Sequence, residues 1–81
     1  MKIKIQLWAL SYASIDGDDE LYTETIGLYE SSDDAFKAMK DNVSSDIKDG
    51  DIEDKWKIND KAAEYVDDFS NTRKSYRINS L

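Results

Sequence analysis

The chain has 81 residues, no cysteine and no histidine, and 18 acidic against 11 basic side chains, for a net charge of −7. This length supports one domain, because two separate cores would each remove too little surface from water. The absence of thiols rules out a disulfide framework or thiolate zinc site and points to a reducing cytoplasm. The absence of histidine removes the commonest general base near neutral pH.

The start of the chain alternates. Ile3, Ile5, Leu7 and Ala9 fall on one face and Lys2, Lys4 and Gln6 on the other, the period of a half-buried strand. Beyond Gln6, Trp8, Leu10 and Tyr12 occupy the second face, so these three either pack under a neighbouring element or form an apolar patch for an adaptor or homodimer contact. The uninterrupted apolar run is only Leu7–Leu10, shorter than a secretion signal requires. No stretch approaches the roughly 18 apolar residues of a membrane span.

"SIDGDDE" (14–20) follows as a turn, and "LYTETIGLYE" (21–30) returns as a β-branched and aromatic strand in which Gly27 marks a bulge or a close approach. Ser31 or Ser32 then caps a helix over 32–48. Asp33 and Asp34 sit in its first turn, and Gly50 stops it. Phe36, Met39, Val43 and Ile47, with Ala35 and Ala38, make its apolar stripe, with Phe36 as the anchor expected to lie on a sheet containing Ile3, Ile5, Leu7, Trp56 and Ile58.

After the acidic connector "DGDIEDKW" (49–56), "KWKIN" (55–59) reads as a short strand. "DKAAEYVDDFS" (60–70) has both helical spacing and turn-flanked strand character, and the strand is preferred. "KSYRINSL" (74–81) alternates as a charged edge strand. The order β-β-α-β-β-β defines an α+β domain: an antiparallel sheet of four to five strands with one main helix on one face.

Motifs that would carry chemistry are missing. Solvated loop carboxylates make poor acid–base pairs, so we expect no enzyme and no cofactor. Calcium-loop spacing also fails: Ser45, Ile47 and Asp49 precede Gly50, and Tyr12, Ser14 and Asp16 precede Gly17, where an EF-hand needs acids at all three places. Direct nucleic-acid binding is opposed by the sign of the charge.

The charge is nevertheless clustered. Asp16, Asp18, Asp19 and Glu20 lie in the first turn, Asp49, Asp51, Glu53 and Asp54 in the connector, and Asp67 and Asp68 before the last strand. Each group is a loop and so lies at the surface, where negative potential attracts basic partners. These ten residues are the candidate partner-binding set, and Trp8, Leu10 and Tyr12 the alternative interface.

A cysteine-free acidic α+β chain with Trp56–Asn59 and Tyr76–Leu81 as strands resembles the small accessory proteins of bacteriophages and prophages, including anti-CRISPR and other counter-defence inhibitors. Several members of that class act as acidic decoys in the nucleic-acid channel of a bacterial defence enzyme. The resemblance implies a non-enzymatic inhibitor whose carboxylates stand in for phosphates, a basic nucleic-acid-handling partner such as a CRISPR effector, and residence in the cytoplasm of an infected or lysogenic cell.

Overall fold

A computed structural model of the chain describes residues 5–18 and 20–81. Ile3, Lys2, Lys4 and Asp19 lie outside the described residues. β1 (Trp8–Ile15), β2 (Leu21–Tyr29), α1 (Ser32–Lys48), β3 (Trp56–Ile58), β4 (Ala62–Asp67) and β5 (Thr72–Ser80) follow in chain order, with one 3-10 turn at Glu53–Lys55. The strands form one five-stranded antiparallel sheet in the order β2-β1-β5-β4-β3, with the helix on one face. Residues 62–67 are thus strand, as preferred. No helix of the described residues is long and apolar enough to cross a membrane.

The helix is delimited by chemistry visible in the sequence. Ser31 accepts a hydrogen bond from the Asp34 backbone N–H at 3.1 Å. At the other end the Gly50 N–H reaches the Ile47 carbonyl and the Asp51 N–H reaches the Asp46 carbonyl, both at 3.1 Å. This is a Schellman closure, and it needs the positive φ of 128° that Gly50 tolerates.

The core sits between α1 and the sheet. Ala35, Met39 and Val43 from the helix meet Leu10, Trp56, Ala63, Tyr65, Tyr76 and Ile78 from the strands. Aromatic rings fill its middle: Tyr76 lies 4.8 Å from Tyr12 and 5.9 Å from Trp56, and Trp56 lies 5.2 Å from Tyr65, between ring centroids. Phe36 and Ile47 are only half-buried, at the margins of the stripe, so the anchor is Met39 rather than Phe36.

Three expectations change. The helix covers the Trp8–Leu10–Tyr12 face of β1, where Leu10 is wholly buried and the half-buried Trp8 and Tyr12 pack against the core, so the covered face is this one and not that of Ile5, Leu7 and Ala9. The other face is open: Ile5 is 74% exposed, Leu7 precedes the first strand, and Ala9 lies opposite Leu28 and Asn79. The physical reason is volume, since the helix packs on the large side chains.

The terminal strand is also not an edge. β5 is the middle strand, paired with β1 over Arg73–Ser80 and with β4 over Thr72–Arg77. Its charged alternation marks the uncovered face of the sheet. Ile58, expected beside Trp56 in the core, is 46% exposed at the end of β3, one of the sheet's two edge strands.

Gly27 fulfils both roles read for it. The β1–β2 register shifts at Leu10/Ser11, leaving Ile26 as the extra residue, and a Cβ on Gly27 would stand 2.9 Å from the Tyr29 hydroxyl.

Candidate partner-binding surface

The topology brings the three acidic loops to one end of the molecule. β1 ends at Ile15 opposite Leu21 and Arg73, and β4 ends at Asp67 opposite Thr72, so the 16–20 and 68–71 turns share an end of the sheet. A Cβ on Gly17 would lie 3.5 Å from the Ser70 carbonyl oxygen, so the two turns are in contact. The helix runs back from the far end and delivers Asp46 to the Tyr76 hydroxyl and Asp51 to Lys74, which puts its C-terminus and the 49–54 connector there too. Asp16, Asp18, Glu20, Asp49, Asp51, Glu53, Asp54, Asp67 and Asp68 therefore belong to one pole. Asp19 lies outside the described residues.

The pole divides into carboxylates that hold the fold and carboxylates that face water. Asp51 receives both its hydrogen bonds from Lys74 Nζ at 2.8 Å, with side-chain exposures of 14% and 20%. Burial pulls the Lys74 ammonium down, and the Asp51 bond and the nearby charges of Asp51 and Asp46 more than restore it, leaving it above its ordinary value. Asp67 accepts from Lys55 Nζ at 2.9 Å and from the Phe69 N–H at 3.1 Å. The Lys55 bond foremost holds its carboxyl down at about 2, against the upward pull of burial, and the same bond raises Lys55.

Asp46, which no sequence pattern singled out, accepts a 2.6 Å hydrogen bond from the Tyr76 hydroxyl, and burial followed by this bond raises that phenol well above its ordinary value. Tyr65 accepts from the Ile52 N–H at 3.3 Å, so the connector is tied to β4 as well. Asp16 accepts from the Asp18 N–H at 3.0 Å and shapes its own turn. What remains turned to solvent is Asp18, Glu20, Asp49, Glu53, Asp54 and Asp68.

Among the described residues no three carboxylates gather as a metal-ligand set. A hollow of about 670 Å³ lies at the opposite end beside the helix N-terminus. It is lined by Trp8, Phe36, Asp33, Asp60 and Lys61, and it shares nothing with the acidic pole. Comparison with family models, with curated proteins and with solved structures returned no match.

Proposed function

We propose that the protein is a non-enzymatic interaction module, a phage-type inhibitor that docks its acidic pole on a basic, nucleic-acid-handling protein such as a CRISPR effector. The observation that carries this reading is the gathering of three acidic loops, far apart in sequence, at one end of a rigid sheet and helix. Folding gains nothing from collecting exposed like charges, whereas a clustered field steers a basic partner and raises its rate of approach. Asp51 and Asp67 serve the pole by fixing its loops, and Asp18, Glu20, Asp49, Glu53, Asp54 and Asp68 supply the field.

Capture from a bacterial lysate on immobilised protein, eluted with rising salt, tests the reading. A basic nucleic-acid-binding protein released at moderate salt is expected, and it should be lost from a column carrying Asp49→Asn, Glu53→Gln, Asp54→Asn and Asp68→Asn together. Equal capture by the two columns would sink the proposal.

A further inference from the structure

We infer that the open face of the sheet is a second interface, which takes an extended acidic segment of a partner protein with its carboxylates on Arg73 and Arg77. The inference goes beyond the acidic pole in both surface and sign of charge. Tyr76 and Ile78 of the central strand point into the core, so Arg73, Ser75 and Arg77 point away from the helix. These are the only two arginines of the chain. On one strand face they stand roughly 13 Å apart, the reach of residues i and i+4 of another extended chain lying over them.

Their surroundings suit such an occupant. A trough of about 640 Å³ runs beside Arg77 over a floor that includes Ser11, Ala13, Thr23, Thr25 and Ser75; Glu24 also lines it, its carboxylate held by the Tyr22 hydroxyl at 2.6 Å. A second hollow of about 240 Å³ shares Ser75 and Arg77 and is walled by Ile15, Leu21 and Val66 beside Arg73. Those three apolar side chains are 39%, 67% and 45% exposed. Ala13, Ser11 and Ser75 are poor strand formers, and a face that met only water would have no need of small side chains; smallness lets another backbone come close. The Ser75 hydroxyl, which lines both hollows, is shielded from water and has no hydrogen-bond partner among the described residues.

The two guanidiniums are open to new carboxylates. Arg77 meets Glu64 at 3.4 Å with 62% and 57% of the two side chains exposed, a long contact that a better-placed carboxylate displaces. Arg73 has no carboxylate within 4.0 Å among the described residues.

Charge selects among occupants. A second copy laid face to face would set two more arginines against these two, with Glu64 and its counterpart already engaged by Arg77 and Glu24 by the Tyr22 hydroxyl. A nucleic acid would bring a polyanion to a molecule of net charge −7, onto a face whose strands offer no aromatic ring for bases to stack on. A short acidic segment brings two carboxylates, which the planar guanidiniums bind in bidentate fashion, and alternate apolar side chains for the Ile15–Leu21–Val66 corner.

The test is an amide NMR titration at low salt with the peptide acetyl-Val-Thr-Glu-Thr-Val-Thr-Glu-Thr-Val-amide, whose valines and glutamates share one face of the extended chain, and with its Gln-for-Glu counterpart. Shifts in β1, β5 and the adjoining part of β2 are expected with the Glu peptide only. Binding should weaken about tenfold in Arg73→Gln or Arg77→Gln, whose melting should match the wild type. Binding should persist when Glu53, Asp54 and Asp68 are neutralised, which separates this face from the acidic pole. The inference is overturned if this face shows no shifts at millimolar peptide, or if either arginine variant binds undiminished. It is likewise overturned if the same amides move with protein concentration alone, the mark of a second copy, or if a single-stranded oligonucleotide moves them at lower concentration than the peptide.

Discussion

With its carboxyl at about 2, below the ordinary 3.8, Asp67 favours the fold whenever it is ionised. A depressed carboxyl contributes stability that is full above its unfolded value and is lost as pH falls through the folded one. Wild-type protein should therefore lose melting temperature between about pH 4 and pH 2. Asp67→Asn should melt lower than wild type at neutral pH, and the gap should close toward pH 2. A gap that stays constant down to that pH would show that the Lys55 pair is not its source. Tyr76 carries the opposite sign: its raised phenol contributes stability below the ordinary value of 10.0 that is lost as pH rises. Tyr76→Phe should cost about 1–3 kcal/mol near pH 7, through loss of the bond to Asp46, and should flatten the alkaline limb of the melting profile above about pH 10. Neither pairing was legible in the sequence, because Tyr76 and Asp46 become partners only once the helix crosses the sheet, and Asp67 and Lys55 only once the connector returns beside β4.

At the scale of elements, the local signals were the readable ones. Ser31, the Asp33–Asp34 pair and Gly50 mark a helix that begins and ends where the caps say, since capping acts within a turn and needs no tertiary context. The faces of β1 were not readable in the same way. Apolar residues stand on both of them, and only the helix decides which is covered; it chose the face of Trp8, Leu10 and Tyr12. β5 misleads for a related reason, because Arg73 and Arg77 on an open face look the same in sequence as charges on an edge. The helix stripe follows geometry too. Met39 is fully buried, whereas Phe36 lies at the margin with the Lys40 ammonium 5.4 Å from its ring centre. Met39→Ala should therefore cost about 2–5 kcal/mol, and Phe36→Ala should cost less despite removing more atoms. Denaturant melts of the two variants check the order, and the reverse order would mean that the helix is rotated toward Phe36.

For the whole molecule, the sequence disclosed that acid was clustered but not where the clusters would meet; that depended on strand order and on the helix returning to the end where β1 and β4 finish. The structure also separates acids that look alike in sequence. Asp51 and Asp54 are three residues apart, yet Asp51 is pinned by Lys74 and Asp54 is exposed. Asp51→Asn should destabilise by about 1–3 kcal/mol, because it leaves a partly buried ammonium short of its partner. Changing Asp49, Glu53, Asp54 and Asp68 to their amides should leave the melting temperature unchanged or slightly higher, since the change removes mutual repulsion and no internal ion pair. The same change should slow association with a captured basic partner by about tenfold at low salt while altering dissociation little, because long-range charge acts on the encounter. Raising ionic strength shortens the Debye length to about 8 Å at 0.15 M, so the difference between wild type and variant should shrink as salt is added. Stopped-flow association at three or more salt concentrations measures this directly. A variant that associates as fast as wild type at low salt, while remaining folded, would remove the acidic pole from the binding reaction.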